Sequence, residues 1–157
     1  MSVLLFFVGI SGAFSVLFGA WLSHSEYAIT AESMKVIDKA LLYQFIHTLA
    51  LYITVLYLKF SVKFELKVDI LSKVTLTQKP SAKLAAITAL FSPIKLISTA
   101  CVFFTLGIVL FSGGIYLKVI FEILTFAKLI PLGGILLSLA WSLIALSTMK
   151  LVSVKQS

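Results

Sequence analysis

Four side chains that can titrate or hydrogen-bond stand out in an otherwise apolar sequence: His24, Tyr43, Gln44 and His47. Tyr43 and His47 are four residues apart, so on a helix they share one face. Histidine titrates near pH 6.5, and a histidine pair could move protons or bind a metal ion. However, two histidines without a carboxylate or thiolate make a poor zinc site, because zinc usually takes four ligands. We therefore expect no metal and no cofactor, and expect this cluster to hydrogen-bond across helices.

The composition around this cluster is that of a membrane protein. Of the 157 residues, 61% are apolar and 12% are charged, whereas a soluble domain has about 45–50% and about 25%. This argues against a soluble enzyme and a disordered chain. The single cysteine argues against a disulfide-stabilised secreted domain. All thirteen basic residues are lysine, and the lack of arginine argues against specific nucleic-acid binding.

Four long apolar segments predict four transmembrane helices, at about residues 3–22, 40–58, 93–117 and 129–149. A helix needs roughly 20 residues to cross a bilayer. Backbone groups in lipid must bond within their own segment, which requires helices. The predicted fold class is an all-α membrane protein, a four-transmembrane-helix bundle forming one domain over residues 1–157. The first segment lacks a basic n-region and is too long for a signal peptide, so we expect it to be retained.

The lysines predict the orientation of these helices. With four spans, both termini and the middle connection share one side of the membrane. Nine lysines lie on that side and four on the other. The nine are Lys59, Lys63, Lys67, Lys73, Lys79, Lys83, Lys95, Lys150 and Lys155, and the four are Lys35, Lys39, Lys118 and Lys128. By the positive-inside rule, the termini and the middle connection are cytoplasmic. The same lysines would attract anionic lipid headgroups.

The cytoplasmic insertion, about residues 59–92, allows two interpretations. Even positions from 60 to 70 are apolar and the odd ones polar, a period typical of a half-buried strand. Alternatively, Lys59, Lys63 and Lys67 could line the polar face of an interfacial continuation of the second helix. The alternation narrowly favours a strand or extended segment, which could pair with its copy in a dimer. Residues 82–91 predict a short helix, and Ser92-Pro93 predicts the start of the next span.

Small residues predict how the helices pack, because they allow close backbone approach in lipid. They recur every four residues on the first and fourth spans and seven apart on the third. The residues are Ser11, Ser15, Gly19 and Ser23, then Gly134, Ser138 and Ser142, and on the third span Gly107 and Gly114. We expect a tight bundle in which the first and fourth helices are contact partners.

Four sequence blocks resemble a known family. They are Gly19-Ala20 with His24, Tyr43-Gln44-x-x-His47, Ser112-Gly113 with Tyr116, and Pro131-x-Gly133-Gly134 with Trp141. In this order they resemble the small bacterial inner-membrane family called domain of unknown function 423, the YgdD-like proteins. The resemblance implies a four-helix inner-membrane protein in which these motif residues pack the bundle. It implies no established activity.

The residues therefore predict location more firmly than function. No carboxylate pair or nucleophile–base pair suggests an enzyme, and no acidic residue lies within the predicted spans as a proton relay would require. We expect an inner-membrane protein of structural or accessory role, without catalytic activity. The alternative is a small-solute or proton-linked transporter or channel using His47. The expected partners are the lipid bilayer with its anionic headgroups and a second copy or another membrane protein, with no nucleic acid.

Overall fold

The computed structural model describes residues 2–24, 30–75 and 93–155, with side chains for all of these except 64–75 and 149–155. The helices are α1 (Ser2–His24), α2 (Ala31–Thr75), α3 (Pro93–Ile108), α4 (Gly114–Ile120) and α5 (Ile130–Lys155). One π-helical turn, Val109–Gly113, joins α3 to α4 without a break, and a 3-10 helix, Leu124–Leu129, leads into α5.

Four helical segments are long and apolar enough to cross a membrane: Ser2–His24, Ala31–Lys63, Pro93–Ile120 and Leu124–Thr148. The predicted all-α fold is confirmed for the described part of the chain, which contains four helices able to span a membrane and no strand. Large apolar side chains point outward from these helices; Val3 and Leu17, for example, are 79% and 70% exposed. An apolar outer surface is stable in lipid, because the hydrocarbon chains are as apolar as the side chains.

The second helix begins earlier than its apolar run. Thr30 precedes the first helical residue, Ala31. Its carbonyl accepts a hydrogen bond from the Met34 backbone N–H at 2.9 Å, and its hydroxyl accepts one from the Ser33 N–H at 3.2 Å. Threonine in this position caps a helix by satisfying an N–H group of the first turn. Lys35 therefore lies on the helix rather than in the predicted loop.

The same helix also ends later, and here the favoured prediction was wrong. Residues 60–70 form no strand, because α2 continues without interruption to Thr75. The strand interpretation assumed that the apolar positions face a core, but Phe60 is 69% exposed and Val62 39%. Propagating an existing helix costs little, whereas an isolated strand needs a partner. The alternative, a continuation of the second helix, is the one that forms, and dimerisation through strand edges has no basis.

The predicted short helix at residues 82–91 and the cap Ser92 lie outside the described residues. The third span does begin at Pro93 as predicted, where proline's missing N–H is not needed.

The spans pack in chain order, each antiparallel to its neighbour. α1 packs mainly on α2, α2 on α3, and α3 on α5. The predicted partnership of the first and fourth spans is therefore wrong. The reason lies on α5, where Ser138 and Ser142 face outward and donate hydrogen bonds to the carbonyls of Gly134 (3.1 Å) and Ser138 (3.0 Å) in their own helix. In α1, by contrast, Ser11 and Ser15 are buried, and the helix they belong to packs on α2.

Glycines allow the third span to approach α5 closely. A Cβ at Gly107 would lie 2.6 Å from Cδ2 of Leu137, and one at Gly114 would lie 2.9 Å from Cγ1 of Ile130. A Cβ at Gly133 would overlap the backbone of Phe111, within the π-helical turn. Because backbone cannot move aside as a flexible side chain can, Gly133 determines how closely α5 lies against this turn.

Candidate functional site

Gln44 is the centre of a buried polar network that connects three spans. Its Nε2 donates to the Ser11 carbonyl oxygen and to Ser11 Oγ, both at 3.2 Å, and its Oε1 accepts from the Tyr116 hydroxyl at 2.9 Å. Gln44 is 6% exposed and Tyr116 7%. One amide thus uses donor and acceptor together, as a buried polar group in lipid must.

The network continues along the interface of α1 and α2. The hydroxyls of Ser11 and Thr48 share a hydrogen bond of 2.7 Å, and Ser15 Oγ donates to the Ser11 carbonyl at 2.8 Å. Thr48 lies one helical turn after Gln44, so both reach the same point on α1. Ser11 therefore contacts three polar neighbours near the middle of its span.

A second link between α2 and the third span comes from the π-helical turn. Ser112 Oγ donates to the Ala40 carbonyl oxygen at 2.9 Å, and Ser112 is 1% exposed. Helical side chains lean toward the N-terminus of their own helix. Because α2 and the third span are antiparallel, Gln44 and Tyr116 lean toward each other and meet above Ser112. The π-helical turn and the tilt of the two side chains together explain how Gln44 and Tyr116, which are 72 positions apart, form a hydrogen bond.

His47 belongs to a different neighbourhood, one of aromatic rings. Its Nδ1 lies 2.6 Å from the Tyr43 carbonyl oxygen. Since a carbonyl only accepts, Nδ1 carries the proton. The ring centroid lies 5.7 Å from that of Tyr43, 6.0 Å from that of Phe104 and 6.4 Å from that of Trp141. His47 is 8% exposed, so it stands buried between α2, α3 and α5.

The structure does not bring the two histidines together. His24 ends α1 and is exposed. Ser11, which bonds Thr48, marks the level of His47, and His24 lies thirteen positions after Ser11 on the same helix. At about 1.5 Å per residue this is roughly 20 Å along the axis. A proton-sharing or metal-binding histidine pair does not form.

Of the four residues in the predicted polar cluster, Gln44 joins the interhelical network, Tyr43 and His47 stack on each other, and His24 stands apart. Sequence reasoning missed Ser11 and Thr48 as members of the network. A signal for both existed: Thr48 follows Gln44 by one turn, and Ser11 begins the small-residue stripe of the first span. Only the helix register could show that they meet.

The predicted motif residues have unequal roles. Gly19 lies against Leu41, with a Cβ position 3.8 Å from its Cδ1, and Gly133 makes the closest backbone approach. Ser112 and Tyr116 pack and also hydrogen-bond. A Cβ at Gly113 would meet nothing within 4 Å, and one at Gly134 would meet only the Phe111 ring. Ala20, Pro131 and Trp141 are exposed, and Trp141 also packs edge-to-face on Phe104, with centroids 5.4 Å apart.

Comparison with known proteins yields one match. The family model described as "Protein of unknown function (DUF423)" matches residues 18–134, about three quarters of the chain. The matched region contains Gln44, His47, Ser112 and Tyr116, whereas Ser11 and Trp141 lie outside it. No curated protein and no solved structure matches the chain.

Proposed function

We propose that this chain, which belongs to the DUF423 family of proteins of unknown function, has a structural or accessory role in the bacterial cytoplasmic membrane, without catalysis. One observation carries the proposal. The amide at the centre of the bundle, which a transporter or enzyme could use on a substrate, is engaged by Ser11 and Tyr116 on neighbouring helices. Its donor and acceptor both serve to hold the helices together, which is the usual role of amides and hydroxyls between spans.

The proposed orientation places both termini and residues 59–92 in the cytoplasm. It is supported by the nine-to-four distribution of lysines in the sequence. Lys59 and Lys63, both exposed, extend α2 at the proposed inner surface. There they would pair with anionic lipid headgroups, at about 1 kcal/mol for each lysine near the surface.

An accessory protein needs a face for its partner, and α5 supplies a candidate. The carbonyl oxygens of Gly134 and Ser138 are already bonded by the hydroxyls of Ser138 and Ser142. This outward face is therefore small and internally satisfied, a combination that allows another helix to approach closely. We propose that it contacts a second copy of the chain or another membrane protein. Nucleic acid and cofactors have no part in the proposal.

Crosslinking in membranes tests this role. A Ser138→Cys variant in a Cys101→Ala background should form crosslinks to a partner, whereas Leu17→Cys, on the exposed side of α1, should not. Equal crosslinking from both positions, or none from either, would count against the α5 face.

Reconstituted vesicles test the absence of transport. Vesicles containing the protein should pass protons and small solutes no faster than protein-free vesicles. Flux that His47→Ala abolishes and His24→Ala preserves would replace the accessory role with a transporter.

A further inference from the structure

A groove opens toward lipid beside the aromatic neighbourhood of His47. It has a volume of about 280 Å³ and lies between α2, α3 and α5. Its walls are almost wholly apolar; they comprise Ala50, Ile53, Thr54, Tyr57, Ile97, Trp141, Ile144, Ser147 and Thr148. The hydroxyls of Thr54, Ser147 and Thr148 donate to carbonyls of their own helices. The groove is therefore suited to bind a hydrocarbon chain.

His47 does not line the groove but lies nearly one helical turn before Ala50 on α2, next to the end of the groove that Trp141 lines. On a helix of 3.6 residues per turn, Tyr43 and His47 share one face of α2 with the groove residues Ala50, Thr54 and Tyr57, all within about 80°. Trp141 belongs to both places, since it lines the groove and contacts the His47 ring edge-to-face. Trp141 therefore connects the end of the groove to the histidine.

Two polar atoms at this end have no hydrogen-bond partner among the described residues. The Nδ1 of His47 is used by Tyr43, which leaves Nε2 as an acceptor when the ring is neutral. No fully enclosed side-chain nitrogen or oxygen in the described region lacks a partner, so this Nε2 is not completely enclosed. The indole N–H of Trp141 is a donor on a side chain 46% exposed. A hydroxyl group can donate to the first atom and accept from the second.

The surroundings require this hydroxyl-bearing head to be uncharged. His47 is the middle residue of the span Ala31–Lys63, where a charged or zwitterionic headgroup is costly. Lys59 and Lys63 project from the opposite side of α2 by the same helical periodicity, so they cannot neutralise an anion in the groove. These facts disfavour a fatty acid and a phospholipid headgroup.

We propose that His47 and Trp141 form the polar end of a binding site for an uncharged long-chain alcohol or phenol. Its hydroxyl bridges His47 Nε2 and the indole N–H of Trp141, and its hydrocarbon chain lies in the groove toward Tyr57. Tyr43 acts as a positioning residue, because its carbonyl fixes the tautomer of the histidine. This site is separate from the Gln44 network and does not depend on the accessory role.

Fluorescence quenching can test the site without disturbing the fold. The chain has two tryptophans, so a Trp21→Phe variant leaves Trp141 as the only indole. In phosphatidylcholine nanodiscs, brominated hexadecanol should quench Trp141 saturably. Equally brominated hexadecane should need about tenfold more, at equal mole fraction in the membrane, because it cannot form the two hydrogen bonds. Brominated palmitate should bind no better than the alkane.

Substitution of the histidine provides the second arm. His47→Ala should raise the half-saturation of the alcohol to that of the alkane, while His24→Ala should leave it unchanged. If His47→Ala does not fold, the half-saturation of the alcohol and of the alkane can still be compared in the Trp21→Phe variant, which keeps His47, and this comparison tests the site. Quenching that never saturates would overturn the site. Equal half-saturation of alcohol and alkane would overturn the role of His47, and tight binding of palmitate would overturn the requirement for an uncharged head.

Discussion

The amide oxygen of Gln44 accepts a hydrogen bond from the Tyr116 hydroxyl at 2.9 Å, across 72 positions of sequence. The amide nitrogen of the same side chain donates to Ser11. A single residue of α2 thereby joins α1 to α4. In lipid, where apolar burial does not drive helices together, such bonds and close packing must hold the bundle.

Substitution of Gly133 tests the close packing of α5 against the π-helical turn. Gly133→Ala should lower the free energy of unfolding by about 1–3 kcal/mol or more, because the new Cβ overlaps the backbone of Phe111. Gly113→Ala is the matched control, since a Cβ there meets nothing within 4 Å. It should be neutral or stabilise the helix by up to about 1 kcal/mol. Unfolding in detergent mixtures measures both, and equal effects of the two would refute the close approach at Gly133.

Substitution of Glu122 tests the backbone conformation of the turn after α4. Glu122 has a φ of 57°, a left-handed conformation that glycine adopts without strain. The Ile123 N–H bonds the Leu117 carbonyl at 3.1 Å, as in a helix that ends with a left-handed residue. Glu122→Gly should therefore stabilise the protein by about 1 kcal/mol. Glu122→Ala keeps the Cβ and should not change the stability. An equal increase in stability from both variants would show that the left-handed conformation of Glu122 is not strained.

The proposed orientation predicts which lysines face outward. In a Cys101→Ala background, Lys35→Cys should react with a membrane-impermeant maleimide applied to intact cells. Lys63→Cys should react only after the membrane is opened, because it lies at the other end of the same span. The reverse pattern would invert the topology.

Cys101 offers a native reporter of folding. Its side chain is fully buried among the helices, and a thiol must be reached before it reacts. We expect labelling only through global unfolding, so that, with a reagent slower than refolding, every variant that destabilises the bundle accelerates labelling in proportion to its unfolding equilibrium constant. Fast labelling of the folded protein, at a rate independent of stability, would show that this core opens locally.

The spans could be predicted from the sequence because lipid imposes a length and a composition on them. The helix at residues 3–22 could be predicted without tertiary information, because a run of twenty uncharged residues is typical of a transmembrane helix. The start of α2 was missed because the apolar run begins ten positions after the cap at Thr30, and lysines in the first turns of a helix resemble loop residues in sequence. The strand at residues 60–70 was favoured because period two is informative only where one face is buried, and Phe60 is not.

The sequence predicted which residues belong to the polar site better than it predicted which of them contact one another. Gln44 and His47 are conspicuous as polar side chains in an apolar run, but their neighbours depend on helix register. Ser11 meets Gln44, and Trp141 meets His47, only because of the order in which the helices pack. The π-helical turn that brings Ser112 to Ala40 has no recognisable signature in Leu110-Phe111-Ser112.

A double-mutant cycle between Gln44 and Tyr116 measures whether their hydrogen bond holds the helices together. Tyr116→Phe, Gln44→Leu and the double variant are unfolded in bilayer mimetics, with Tyr52→Phe, an exposed tyrosine, as control. We predict a loss of about 1 kcal/mol for Tyr116→Phe, no loss for Tyr52→Phe, and a coupling energy of about 0.6–1.7 kcal/mol between the two network residues. Strictly additive losses would mean that this hydrogen bond does not join the helices.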